Sequence, residues 1–310
     1  MGRNQMVFIL VLVLTALVMP FVVYPVFLMK GLCLALFASA FDLLLGHLGL
    51  LSFGHAMFFG FAGYVTAHAA KDWNLPVETS ILLGVLTAAL LGAITGGLAI
   101  RRKGITFAMI TLAFAQMMYF VAVQAPFTHG EDGIQGVPQG NLFGIIPLSD
   151  QMSLYYVVLA IFAASLAFIH RIIQSPFGQV LKAIRDNETR AISLGYRVER
   201  YKLAAFVMSA AFAGLAGSLK SIVFQLAALT DVHWHASGEV VLMTLLGGVG
   251  TLFGPTIGAF IVAGIQNSLA ESGSWVTIIQ GLIFVACVMT FRKGVAGTLA
   301  HWFKRWGITL

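Results

Sequence analysis

The chain is 310 residues long, 59% hydrophobic and only 10% charged, with a mean hydropathy of +0.92. Soluble domains carry about 25% charged residues, so a soluble enzyme or binding module is excluded. The net charge of +6 does not point to nucleic acid, because the bases lie between apolar runs rather than on one soluble face.

Those runs reach the ~20 residues that cross a bilayer core as helix. Backbone in lipid must satisfy itself internally, and continuous runs rather than alternating ~10-residue segments select helices over a barrel. The expected fold is an all-α polytopic transmembrane helix bundle of about 8–10 membrane segments in one domain. The predicted spans are 7–28, 31–46, 52–70, 80–100, 105–124, 152–171, 203–224, an interrupted region 239–269, and 274–291. Arg3 before an apolar run resembles a secretory signal, but the run continues past Met19 to Met29 without an A-x-A-like cleavage site, so a retained first helix is expected. Cys33 and Cys287 both fall inside spans, which points to packing rather than a disulfide framework.

Charge orients the spans. Arg101, Arg102 and Lys103, the opening stretch, and Arg292, Lys293, Lys304 and Arg305 go to the cytoplasm, which places both termini there. The loops 125–151 and 225–238 hold Glu131, Asp132, Asp150 and Asp231 but no lysine or arginine, and go outside. This alternation fails after span 203–224 unless the region 239–269 enters and returns. "LLGGVGTLFGPTIGA" offers the means, since Gly247, Gly248, Gly250, Gly254 and Pro255 can break a helix where protein or water covers the freed backbone. Glycines that merely pack helices together are the other reading.

Six of the eighteen lysines and arginines fall between Lys182 and Lys202, inside the predicted cytoplasmic loop 172–202. "SPFGQVLKAIRDNETRAISLG" is punctuated as one helix, with Ser175 as N-cap, Pro176 at the first position and Gly195 as the stop. Val180, Ile184, Ala191 and Ile192 share a stripe beside Leu181, while Lys182, Asp186 and Arg190 alternate in sign on another face. Such a helix could lie on lipid headgroups, serve as a solvated connector, or dock in a groove of a soluble partner. Interleaved acids and a single aromatic, Phe177, favour docking.

At "RDNETRAISLG" the sequence resembles the E-A-A…G loop of ABC importer permeases, specifically the branched-chain amino-acid permease family of the LivM type. The residues that carry it are Arg185, Asn187, Glu188, Ala191, Leu194 and Gly195, followed by "YKLAAFVMSAAFAGLAG". Thr189 and Arg190 stand between Glu188 and Ala191, so the double alanine of the loop's name is absent. "LLLGHLGLLSFGHAMFFGFAGY", carrying Gly46, Gly49, Ser52, Gly54, His55 and Phe58, together with "GEDGIQGVP" and "GGVGTLFGPTIGA", is similar to three further motifs, in order over roughly 30–290. The resemblance implies a permease subunit of an importer in a bacterial or archaeal cytoplasmic membrane, carrying branched-chain or related hydrophobic amino acids inward. It implies as partners a second, homologous permease (LivH type), two cytoplasmic ATPases (LivG/LivF type) and an extracytoplasmic solute-binding protein. Arg185, Asn187, Glu188, Ala191, Leu194 and Gly195 would then contact an ATPase. Urea permeases are close relatives, so a urea or amide cargo is the alternative.

No G-x-x-x-x-G-K-[ST] occurs, so no cofactor is expected on this chain, and ATP and magnesium would belong to the partners. An amino acid needs polar groups for its ends and an apolar wall for its side chain. The candidates within spans are Ser52, His55, Thr106, Thr111 and Gln116, with Asp42 and Lys220 as ionisable residues that either serve substrate or pair within the bundle. His233 and His235 near Asp231 and Glu239 lack metal-ligand spacing, so no metal site is expected. An ion-driven secondary transporter would leave the charged helix without a task. An intramembrane enzyme has only Ser52 and His55 as a nucleophile–base pair, with no third orienting group.

Overall fold

The computed structural model describes residues 15–268 together with 278, 279, 281, 282 and 285. The predicted span 274–291 lies almost wholly outside the described residues, as do Cys287, the basic tail from Arg292 and the opening of the first span. Residues 15–18 are helical and run into a single 3-10 turn, Met19–Phe21. Then α1 spans Pro25–Leu48 without interruption. This corrects the predicted boundary between 28 and 31. Met29 and Lys30 fall between the two predicted spans, but Pro25 occupies the first helical position and the real turn lies between Pro20 and Pro25. The helix ends where Gly49 takes φ +75° and its N–H, with that of Leu50, reaches back to the last turn.

The remaining helices are α2 (His55–Lys71), α3 (Val77–Ala99), α4 (Gly104–Gln124), α5 (Gln151–Gln174), α6 (Pro176–Asp186), α7 (Glu188–Ser193), α8 (Val198–Phe224), α9 (Trp234–Gly247) and α10 (Gly254–Ser268). Among the described residues α1, α3, α4, α5 and α8 are long and apolar enough to cross a membrane. The bundle is therefore all-α and polytopic, as its composition requires. A helix apolar all round belongs in the centre, and α1 does: Leu36, Phe37, Phe41 and Leu44 are fully enclosed by α5, α8, α9 and α10. By contrast α3 shows outward a row at every fourth residue, Leu82, Leu86, Leu90, Ile94 and Leu98, as a lipid-facing helix should.

The ends of the bundle differ in chemistry. At one, β1 (Ile134–Gln135) pairs antiparallel with β4 (Leu226–Ala227), which joins the two predicted outside loops. Lys71 at the end of α2 donates to Gln135 O at 2.8 Å, and β2 (Asn141–Leu142) pairs with β3 (Ile146–Pro147) nearby. We refer to this as the loop end. At the other, the basic end, Lys103 before α4 meets Glu188 at 3.0 Å. The second loop is shorter than expected, since α9 already begins at Trp234 and Val232 is buried against Gly60. The non-spanning segment at the basic end is likewise 175–197 rather than 172–202, because α5 runs to Gln174 and α8 starts at Val198.

Close approach holds α2 to α8. At Gly217 an added Cβ would strike the carbonyl of Phe59, and that backbone cannot yield without parting the helices. Gly217→Val is therefore expected to destabilise the bundle by about 3 kcal/mol through overpacking, measurable by denaturation in detergent, whereas Gly97→Ala, with open space around it, should be neutral.

Candidate functional site

The polar stretch is two helices rather than the single one its punctuation suggests. Ser175 caps α6, its Oγ accepting from Gly178 N at 3.4 Å, with Pro176 at the first position as expected. Asn187 then turns extended, ends α6 and caps α7, its Oδ1 accepting from Arg190 N at 2.9 Å. An asparagine that hydrogen-bonds its own backbone competes with helix continuation. Gly195, at φ +86°, follows α7 and closes the pair. The corner redirects the apolar stripe. Leu181, Ile184 and Ala191 face inward, and α6 lies against α1, α5 and α8, so this part of the stripe binds the bundle itself. Ile192 and Leu194 remain outside, 55% and 69% exposed, with Tyr196 beside them.

The charged residues of this segment divide in the same way. Arg185 donates from Nη1 to the carbonyl of Gly46, and its stem lies against Gly49, where α1 ends. Asp186 pairs with Arg185 at 3.4 Å rather than with Lys182 or Arg190. Glu188 accepts from Lys202 of α8 at 2.9 Å and from Lys103 at 3.0 Å. The Lys202 side chain is only 4% exposed. Burial pushes the Glu188 carboxyl up, but hydrogen bonds and charge from the two lysines outweigh it and hold the group below the usual carboxylate range.

The glycine-rich interruption is a true break. Between α9 and α10 the chain reverses, so that Gln266 near the end of α10 returns to Glu239 in α9, donating at 3.0 Å. Gly248 and Gly250 take positive φ, while Gly247 ends α9 and Gly254 with Pro255 opens α10. Thr251, which sequence reasoning missed, stitches the break: its Oγ1 donates to Gly248 O at 2.8 Å and accepts from Gly254 N at 3.1 Å. A threonine just before a Gly-Pro helix start is a readable N-cap signal. The break touches the centre of the bundle through Asp42, whose Oδ1 accepts from Gly250 N at 2.8 Å. Gly46 leaves no room for a side chain there, because a Cβ would come within 2.6 Å of Gly250 N. The polar helices and the break thus meet the same last turn of α1, Arg185 from one side and Gly250 from the other.

Of the predicted pathway residues, the structure gathers three. Thr111 Oγ1 accepts from Phe53 N at 3.1 Å and donates to Ala108 O, Ser52 Oγ accepts from Gly54 N at 3.2 Å, and His55 opens α2. All three side chains are buried, whereas Thr106 and Gln116 lie on the exposed face of α4, apart from them. His55 meets Ser209 at 2.8 Å instead of Ser52. Ser209 donates to Ala40 O, so His55 Nε2 must be the donor in that contact, and Nδ1 is left without a partner. The Ser52–His55 couple on which an enzyme reading would rest does not form. Lys220 pairs with Asp231 and stands 5.5 Å over the ring of Phe59. His233 caps α9, and no metal-holding group of His, Cys, Asp and Glu occurs among the described residues.

Comparison with known proteins gives this geometry a family context. The profile described as branched-chain amino acid transport system / permease component matches residues 23–288. The chain is 26% identical over 277 residues to the high-affinity branched-chain amino acid transport system permease proteins LivM of Escherichia coli K12 and of Salmonella typhimurium LT2. The match covers 82% of this chain and 65% of each relative, so the chain spans just under two thirds of their length. It is also 27% identical over 169 residues to the ribose import permease protein RbsC of Bacillus subtilis, 52% of this chain and 50% of that one. No solved structure matches the chain.

Because Lys202 is buried, Glu188→Ala is expected to cost about 3 kcal/mol by leaving an unpaired charge. Glu188→Ala combined with Lys202→Met should recover more than half of that loss in the same denaturation assay. The depressed Glu188 carboxyl adds stability above its unfolded value, near 4.3, and loses it as pH falls through the lower folded value. Wild-type stability should therefore drop more steeply with acid below about pH 4 than that of the double variant.

Proposed function

The chain belongs to the branched-chain amino acid transport permease family, and we propose that within it the chain is a membrane subunit of an importer driven by partner ATPases. The cargo is branched-chain or related hydrophobic amino acids, moved inward. The basic end faces the cytoplasm, in keeping with the concentration of lysine and arginine there, and the loop end faces outward toward a solute-binding protein. A second, LivH-type permease completes the pore. Two ATPases of the LivG/LivF type bind ATP and magnesium, and this chain contributes no catalytic group.

One observation carries the reading. The segment α6–α7 is tied to the bundle by Arg185, Glu188 and its inward apolar side, while Ile192, Leu194 and, just past Gly195, Tyr196 remain uncovered. A helix pair of this kind has one side for the transporter and one for a partner groove. When ATP draws two ATPases together, force applied at Ile192 and Leu194 reaches α8 and the start of α4 through Glu188, and α1 through Arg185. Because α1 also holds Gly250, the same displacement reaches the break between α9 and α10. The bundle is then a two-state element biased by a partner that binds one state better. Asn187, Ala191 and Gly195 act here as corner, inward anchor and stop, and Leu194 makes the contact.

In the assembled complex, Leu194→Asp is expected to lower substrate-stimulated ATPase and uptake by about tenfold or more while the permease stays folded, since a charge would enter an apolar groove. Uptake at the wild-type rate in reconstituted vesicles would remove the basis for the reading.

A further inference from the structure

Within the loop 125–151, the β2–β3 hairpin presents an apolar tip at the surface. Its strands pair at Leu142 and Ile146, and Ile145 N donates to Leu142 O at 3.1 Å across the turn. Phe143 is 72% exposed and Ile145 82%, and no residue from Leu142 to Pro147 is ionisable. The turn sets Phe143 at φ +51° and Gly144 at φ +70°. Glycine enters that region freely and asparagine with little strain, whereas a bulky aromatic there is an outlier. Such outliers concentrate where the side chain has a task.

The tip is held by α3. Phe143 N donates to Glu78 Oε1 at 2.7 Å, and Gly140, at the foot of the hairpin, lies against Val77. Gly140 O accepts from Leu148 N at 3.1 Å and closes the base. β3 meets α5, so the hairpin bridges the loop ends of two spanning helices. Glu78 stands one turn before Leu82, where the outward row of α3 begins. With 23 residues, α3 is about 35 Å long, a little more than the ~30 Å hydrocarbon core. Its first turn therefore lies at headgroup level, and the tip lies with it, beside the helix face that meets lipid. Trp73, 58% exposed in the turn before α3, is a second aromatic at this end. Aromatic and aliphatic side chains at this depth bury their apolar bodies at the acyl boundary while the backbone stays wet.

We propose that the β2–β3 hairpin is an interfacial anchor, with Phe143 and Ile145 entering the headgroup–acyl boundary of the phospholipid leaflet beside α3. The tip continues the lipid-facing surface of α3, and it lacks the charges by which a soluble partner is steered and oriented. The proposal goes beyond the importer reading and does not depend on it, since a bilayer adjoins a spanning bundle whatever the cargo.

The test uses the complete complex in vesicles of phosphatidylethanolamine and phosphatidylglycerol, doped with a phospholipid that carries a diazirine near the glycerol end of its acyl chain. After irradiation, lipid adducts are mapped by mass spectrometry. The wild type should carry adducts on Phe143, Ile145 and Leu82 and none on Glu131, which is exposed in the same loop as the hairpin. Phe143→Asn relieves the turn, so thermal stability should hold or rise. Its adducts at Ile145 should fall by about tenfold, the scale of one aromatic withdrawn from an apolar phase. Adducts on Leu82 with none on 142–147 would overturn the anchor. So would a Phe143→Asn variant that loses thermal stability yet keeps its Ile145 adducts, because the ring would then be a packing residue. Tip adducts should be equal with and without the solute-binding protein. Their disappearance when it is added would assign the tip to a protein partner and equally overturn the proposal.

Discussion

A single carboxylate joins the three elements at the basic end. Glu188, the first residue of α7, is shared by Lys103 before α4 and Lys202 in α8. The two lysines belong to a polar turn and to a spanning helix, and only an anion between them makes their proximity favourable. Lys202 is enclosed, so the arrangement tolerates no withdrawal of Glu188 without leaving a buried charge. The position of α7, and with it the exposure of Ile192 and Leu194, follows from this contact. Arg185 adds a second fixed point at the end of α1.

The role of α1 is that of a central post. It is apolar on all sides apart from Lys30, Ser39, Asp42 and His47, and of these Asp42 reaches another element. Ser39 returns its proton to its own helix, at Ala35 O. Asp42 fixes the break through Gly250, with His47 one turn below at 3.9 Å. The last turn of α1 therefore connects a surface segment with an internal hinge, over a path made of one guanidinium, one helix end and one carboxylate. Contiguous contacts of this kind give a physical route for coupling, because each link is short and directional.

Much of this was legible in the sequence. The apolar runs located α3, α4, α5 and α8 to within a few residues, because length and hydropathy decide helices in lipid. Positive-inside counting asked for a break near 239–269, and the chain does break there, with α10 folding back along α9. Ser175 and Pro176 read correctly as a helix start. The failures have one cause: a one-dimensional pattern does not say which neighbour a residue will meet. The predicted spans 7–28 and 31–46 left Met29 and Lys30 between them, yet one helix carries both. Asn187 was one polar residue among many, and only its cap to Arg190 shows the chain turning there. The stripe of Leu181, Ile184 and Ala191 had the spacing of a docking face but packs on the bundle's own helices. Arg185 and Glu188 matched a loop motif, and their partners Gly46 and Lys103 lie far away in sequence.

The central claim is that α7 moves with the basic ends of α4 and α8 as one body, because Glu188 binds all three. Spin labels at Ser193 and Arg102, both exposed, would report on this by pulsed electron resonance in the assembled complex with and without ATP. The account predicts an unchanged Ser193–Arg102 distance in the two states, while the distance from either label to one on Gln139 at the loop end changes. A Ser193–Arg102 distance that shifts with ATP would contradict it, since α7 would then slide past the helices it is said to move.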